Sequence, residues 1–181
     1  MPTLTGASNP RPPERVQWAV QLLDVQPTDH LLEIGCGPGH AVTLICDRLT
    51  SGTITAIDRS ATAVARARAR NAGCVTTGRA RIEQQALTHA NLGRRFKKIF
   101  AINVNAFWTE PTPSFGALSE LLQPNGLAYL IYGPPSVSRL REAQSRLTTG
   151  LRENRFEIVH THMRAFRASH GLCIVGRLRR K

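Results

Sequence analysis

The chain has 181 residues, 41% hydrophobic and 20% charged, which suits one α/β domain with a substantial core and is short for two. No apolar run reaches eighteen residues and the opening stretch MPTLTGASNPRPPER lacks the basic-then-apolar layout of a secretory leader, so a cytoplasmic protein without a membrane-spanning helix is expected. The 24 basic and 12 acidic residues leave a formal charge of +12, but the basic residues are scattered over RARAR (66–70), GRRFKK (93–98) and the RLRRK tail, which reads as a solvated surface and keeps nucleic acid as the minority reading.

Residues 1–12 read as a flexible lead-in to a single domain over 13–181, Pro10, Pro12 and Pro13 barring an early helix. PERVQWAVQLL (13–23) puts Val16, Ala19, Val20 and Leu23 on one helical stripe, and HLLEIG is a short apolar strand that runs into glycines. AVTLICDRL returns to helix with Val42, Ile45, Cys46 and Leu49 on one side, and GTITAID is a second strand ended by Asp58. SATAVARARARNAG is an alanine-rich helix that Ser60 should cap and Gly73 should close. ARIEQQAL is a third strand, followed by an irregular stretch to Arg95, and KKIFAINV is a strongly apolar, central fourth. SFGALSELLQ is a helix stopped at PNG, LAYLIY a fifth strand, and SRLREAQSRLTTGLREN a long amphipathic helix.

FEIVHTHM and LCIVGRL close the chain as two strands with few residues between them. A parallel crossover needs about a dozen residues, so one of these two must run antiparallel to an otherwise parallel, doubly wound sheet. The four cysteines (Cys36, Cys46, Cys74, Cys173) lie far apart with no CxxC pair and read as reduced thiols. His160 and His162 share a strand face without a third ligand nearby, so structural or solvent roles are expected and no metal.

The loop GCGPGH follows the first strand, where an open parallel sheet receives its ligands. A dinucleotide fingerprint needs a third glycine at position 40, which is His40, and a P-loop needs a lysine that is missing. Pro38 removes one N–H from the loop, and the carboxylate of Glu33 would repel phosphate while attracting an ammonium or sulfonium. Asp58, 23 positions beyond Gly35, can accept hydrogen bonds from both hydroxyls of a ribose. A cationic group near strand one and a ribose near strand two describe S-adenosylmethionine.

LLEIGCGPG and AIDRS resemble the first two motifs of the class I S-adenosylmethionine-dependent methyltransferases, in which an acidic residue precedes x-Gly-x-Gly-x-Gly. FKKIFAINVNAFWTEP and LLQPNGLAYLIYGPP resemble the small-molecule type 11/25 branch. The resemblance implies a Rossmann-like seven-stranded sheet, mostly parallel with an antiparallel last strand. It implies S-adenosyl-L-methionine as cofactor, with S-adenosyl-L-homocysteine as product. On these motifs Glu33, Gly35, Cys36, Gly37 and Gly39 correspond to the methionine-end loop, Asp58 to the ribose acid, and Arg59 to a residue flanking the adenine. Gln85 and Ala86 correspond to the adenine edge, with Gln85 where an aspartate is usual, and Asn103 stands near the reactive methyl.

The acceptor should approach over strands four and five, past Asn105, Phe107, Trp108 and Tyr132, with the two aromatics as walls of a pocket for an apolar or aromatic small molecule. Only the leading NPRPPER (9–15) and the stretch from Ala106 to Pro113 are candidates for covering the site. NVNAFW lacks the paired prolines of amino-group nucleic-acid methylases, and no cysteine stands near strand four or five for C5 chemistry. No general base stands out, His40 being a weak candidate. Two rival readings stay open: an RNA methyltransferase, from the charge and the basic tail, and a non-catalytic cofactor-binding protein, from Gln85 and the missing base. No membrane contact is expected, and the oligomeric state is open.

Overall fold

The apolar runs come together as a single seven-stranded sheet in the order β3-β2-β1-β4-β5-β7-β6. The computed structural model describes residues 11–134, 136–167 and 169–179; most of the expected flexible lead-in, Pro135 and the end of the RLRRK tail lie outside them. In chain order the elements are α1 (Glu14–Leu22), β1 (His30–Ile34), α2 (His40–Cys46), β2 (Thr53–Asp58), α3 (Ala61–Arg70), α4 (Ala72–Thr76), β3 (Ala80–Gln84) and β4 (Phe96–Ile102). They continue with α5 (Ala106–Thr109), α6 (Pro111–Leu121), β5 (Leu122–Tyr132), α7 (Val137–Glu153), β6 (Phe156–Ala165) and β7 (His170–Leu178). Strands β1 to β5 pair in parallel, and β7 runs antiparallel between β5 and β6, as the short final connection requires.

Helices cover both faces, which is why the central strands read as continuous apolar runs. Leu31 and Leu32 are adjacent on β1, each fully buried, and belong to separate cores on opposite faces. The first core takes the predicted stripes of α1 and α2; the second takes α6 and α7, with Leu140, Ala143, Leu147 and Leu151 inward. Lys98 interrupts β4's apolar run but is paired, its Nζ 2.7 Å from Asp29 and 2.8 Å from the Asp24 carbonyl. β6 is the exposed edge, where His160 and His162 lie with ring centres 5.7 Å apart. Among the described residues no trio of His, Cys, Asp or Glu is grouped to hold a metal, and no helix is long and apolar enough to cross a membrane.

Three local readings are corrected. Gly73 does not close α3: the helix ends at Asn71, and Gly73 lies inside the extra helix α4, with the chain turning at Gly78 (φ 74°). Residues 106–113 are not a loop but α5 and the start of α6, whose Pro111 sits at a position where a proline needs no N–H partner. The PNG turn falls within β5, where the pairing with β4 shifts register and Asn125 takes φ 62°; regular pairing resumes at Leu127.

The arginines are not all solvated either. Arg68 donates twice to the Ile82 carbonyl (2.9 and 2.6 Å), Arg48 to Val20 (3.1 Å), Arg70 to Pro38 (2.9 Å) and Arg79 to Cys46 (3.4 Å). Arg68 and Arg70 tie α3 to β3 and to the glycine loop, and Arg48 and Arg79, just after α2 and just before β3, reach carbonyls of α1 and α2 with their fork of donors.

Two helical glycines separate propensity from packing. A Cβ at Gly116 meets nothing within 4 Å, whereas one at Gly150 overlaps the buried ring of Phe115. Gly116→Ala should therefore stabilise the fold by about 0.5–1 kcal/mol. Gly150→Ala should destabilise it by about 1–3 kcal/mol despite the same gain in helix propensity. Urea unfolding of the two variants checks the opposite signs.

Candidate functional site

The carboxyl ends of β1, β2, β3, β4 and β5 converge on the glycine loop. All three of its glycines have positive φ (Gly35 70°, Gly37 52°, Gly39 77°), a conformation that only glycine adopts without strain. Two of them are also steric requirements. A Cβ on Gly35 would lie 2.6 Å from a methyl of Val104, and one on Gly39 would lie 2.6 Å from the Asn71 amide nitrogen. Gly37 alone has open space where its Cβ would be, so a ligand can come close to its backbone.

The loop's amides are already committed. The N–H groups of Gly35 and Cys36 both donate to the Ile57 carbonyl (2.8 and 3.1 Å), and Gly39 donates to Cys36 (3.0 Å). Gly37 donates to Asp58 Oδ2 at 2.9 Å, and Pro38 has no N–H. Within residues 35–39 no backbone N–H is left for a phosphate. The other oxygen of Asp58 accepts from Ser60 N at 2.9 Å, so this carboxylate ties the loop to the start of α3 and still has lone pairs to spare.

Glu33 lies below the loop, 3% exposed, and its Oε2 has no hydrogen-bond partner. Burial, with a smaller push from the Asp58 carboxylate, raises its pKa well above the usual carboxylate range. An unsatisfied buried carboxyl is costly, and a ligand that brings a cationic donor relieves that cost. Cys36 packs its side chain into the core at 5% exposure, and burial ahead of the Glu33 and Asp58 charges drives its thiol far up; only its backbone faces the loop's work.

Two cavities open above these strand ends. The first, about 270 Å³, brings together Gly35, Asp58, Arg59, Gln85, Ala86, Asn103 and Asn105, with Thr88, Thr109 and Glu110 completing its wall. The second, about 460 Å³, shares Asn103 and Asn105 with it and is walled by Trp108, Tyr132 and Gly133, with Arg139 and Arg146 at its rim. Asn103 stands between them in a left-handed conformation (φ 56°), tolerated by asparagine. Its Oδ1 accepts from Gly133 N at 2.8 Å and so fastens the ends of β4 and β5 together.

Phe107 is a correction. It is 3% exposed, packs on Phe115 at 5.2 Å in the core, and walls neither cavity. Trp108 is half-buried and meets Tyr132 edge-to-face at 4.4 Å. The Tyr132 hydroxyl donates to the Val104 carbonyl, and burial raises its pKa, so it stays protonated. The side chain of Gln85 is held at both ends, donating to Glu83 at 2.6 Å and accepting from Asn91 N at 2.9 Å. His40 walls neither cavity; burial and then the Arg70 charge lower its pKa.

Two residues of the site escaped the sequence reading. Asn71, 4% exposed, donates to Gly39 O (3.1 Å) and Ala67 O (2.8 Å) and accepts from the Thr43 hydroxyl (2.8 Å), locking the loop's last glycine. Nothing in its helical run marks it. Arg15 lies across Gly133, where a Cβ would sit 2.7 Å from its Cδ and one terminal nitrogen, and its Nε is buried without a partner.

Glu33→Gln removes an ionisation that the fold opposes. The raised folded pKa means that stability is fully present below the unfolded value, about 4.3, and is lost as pH rises towards the folded one. The stability advantage of the variant over the wild type should therefore widen from acidic to neutral pH, measured by urea unfolding across that range. Asn71→Ala should cost about 1–3 kcal/mol in the same measurement, because it removes three hydrogen bonds at a buried position, those with Gly39, Ala67 and Thr43.

Comparison with known proteins places this geometry. A family model described as a methyltransferase domain matches residues 32–128, more than half of the 181 residues. No curated protein matches the sequence. Among solved structures, geranyl diphosphate C-methyltransferase from Streptomyces coelicolor A3(2), with Mg2+, geranyl diphosphate and S-adenosyl-L-homocysteine, superposes with a TM-score of 0.71 at 12% identity, covering 90% of this chain and 78% of that one. Magnesium protoporphyrin IX methyltransferase from Synechocystis PCC 6803, with bound S-adenosylhomocysteine, gives 0.69 at 16% identity, covering 91% and 80%. The [4+2]-cyclase SpnF gives 0.74 at 15% identity, covering 90% and 80%, so at these identities the likeness is one of fold. The matched span runs from β1 through the glycine loop, Asp58 and Asn103 into β5, and by it the chain belongs to the methyltransferase-domain family.

Proposed function

We propose that this enzyme transfers the methyl group of S-adenosylmethionine to a small-molecule acceptor, over a single domain from residue 13 to 181. The observation that carries the reading is the partnerless Oε2 of buried Glu33 behind a loop whose residues 35–39 leave no amide for phosphate. That site fits an ammonium-bearing ligand and disfavours a dinucleotide.

In this reading Glu33 and the backbone of Gly35 to Gly39 hold the methionine end, Cys36 contributing main chain only. Asp58 accepts from the ribose hydroxyls through its remaining lone pairs. Arg59 flanks the adenine, and Gln85 with Ala86 meets its edge. The fixed amide of Gln85 keeps one N–H and one lone pair for that purpose. Asn103, between the cavities, aligns donor and acceptor, and Asn105, Trp108 and Tyr132 position the acceptor.

When bound, the cofactor supplies an electrophilic methyl on a sulfonium. The chain's part is alignment and exclusion of water. Tyr132 is unsuited to take a proton, since its hydroxyl is buried and already donated, and the amides of Asn103 and Asn105 cannot. An acceptor that needs little base assistance, such as a thiol, an amine or an activated hydroxyl, is consistent with this lining.

The RNA-methylating alternative loses part of its motive, because Arg48, Arg68, Arg70 and Arg79 hold backbone carbonyls. Four free cysteines, three of them buried, go with the cytoplasmic location expected from the sequence.

Calorimetry tests the reading. Wild type should bind S-adenosylmethionine and S-adenosylhomocysteine, and Asp58→Ala should weaken both at least tenfold. Absent binding, or an unaffected variant, would refute it. Because a bound ammonium lowers the pKa of Glu33, binding should release a proton and tighten as pH rises towards the raised value of the free protein. The proton release, read from the dependence of the binding heat on buffer, should vanish in Glu33→Gln.

A further inference from the structure

The second cavity combines an aromatic wall with cations. Trp108 stands edge-on to Tyr132 on one side, and Ala143 of α7 gives the other side an apolar patch. Two arginines line this apolar body, and a third, Arg15, lies against its wall residue Gly133. Arg146 is neutralised by Glu142 at 2.8 Å, one turn away. Arg139, in the first turn of α7, has no carboxylate partner among the described residues, and no acidic residue shares that turn. Ser136 caps the helix by accepting from the Arg139 N–H, which leaves the guanidinium to the cavity rim.

Arg15 adds to this from the other side. It passes over the Cβ side of Gly133, a cavity-wall residue, and its Nε is buried with no hydrogen bond. A buried guanidinium N–H without an acceptor is destabilising until an anion meets it. Such groups favour carboxylate and phosphate oxygens, to which they offer two parallel donors. The aligned peptide dipoles of the 17-residue helix α7 add positive potential at the same place.

Resting on the methyltransferase reading, we propose that the second cavity takes an acceptor with an apolar or aromatic body and a terminal carboxylate or phosphate, the body against Trp108 and Tyr132 and the anion between Arg139 and Arg15. Glu142 also lines the cavity, but its carboxylate is engaged with Arg146, which offsets the attraction it would have for a cationic acceptor. The anion fixes the acceptor's orientation at a distance from the reacting atom, so that its opposite end is directed past Asn103 to the first cavity.

The test uses the full chain saturated with S-adenosylhomocysteine, so that cofactor binding is established before the acceptor site is probed. Calorimetry then compares 2-naphthoate, 2-naphthyl phosphate and the neutral 2-naphthalenemethanol. At least one anionic probe should bind tenfold or more tightly than the alcohol. Which of the two prevails separates carboxylate from phosphate. Arg139→Gln and Arg15→Gln should each reduce that preference at least fivefold without changing the affinity for S-adenosylhomocysteine. Arg139 is exposed, so its variant tests the charge without disturbing the core. Equal affinity for the alcohol, no binding of any probe at millimolar concentration, or an unchanged preference in Arg139→Gln would overturn the proposal. Loss of cofactor affinity in Arg15→Gln with the preference intact would overturn the part given to Arg15. Failure of wild type to bind the cofactor at all would instead refute the methyltransferase reading itself.

Discussion

The carboxylate of Asp58 is the constraint on which the rest of the site depends. It ends β2, accepts from Gly37 in the loop after β1, and accepts from Ser60 at the cap of α3. One side chain thus sets the loop against the neighbouring strand and starts the next helix. With Gly37 drawn to Asp58 and both Gly35 and Cys36 drawn to Ile57, the loop's shape is held by the chain's own hydrogen bonds. That shape is unlike a phosphate cradle, because its donors turn inward. The preorganisation matters for methyl transfer, where little covalent assistance is needed and geometry carries most of the rate.

Around this tie the fold divides its tasks between adjacent glycines. Gly35 gives room to Val104, which follows β4, and Gly39 gives room to Asn71, which follows α3. The loop is therefore wedged from both sides, with Gly37 left open at its centre. Glu33 beneath it is the counterpart of that rigidity: the fold keeps a carboxyl where water cannot satisfy it. A network of this kind lowers stability locally and prepares an electrostatic fit for a cation.

How much of this was legible follows from how local each signal is. Positive-φ turns leave glycines in the sequence, and central parallel strands leave apolar runs, so the loop, the strands and the antiparallel ending could be read. Glu33 and Asp58 could be read because their spacing from the glycines is fixed by the strand ends. Phe107 could not be placed, because an aromatic after a strand has the same pattern whether it walls a cavity or plugs the core; the short helix α5 turned it to Phe115. Asn71 was hidden because its partners are 28 and 32 residues earlier in the chain. Arg15 was hidden for the same reason, since its neighbour Gly133 lies at the far end of β5. The fixed amide of Gln85 depended on Glu83 and Asn91, whose side-chain and backbone geometry no spacing rule conveys.

The arginine fasteners bear on the chain's behaviour outside its active site. Because guanidinium groups bind α1 to α2, α3 to β3, α3 to the glycine loop and β3 to α2, part of the +12 charge is architectural and cannot be traded away without loosening the fold. A protein with a sequence pI near 11.1 attracts polyanions, the more so at low salt. Nucleic acid that accompanies it through purification is therefore expected from charge alone and does not by itself mark the methyl acceptor.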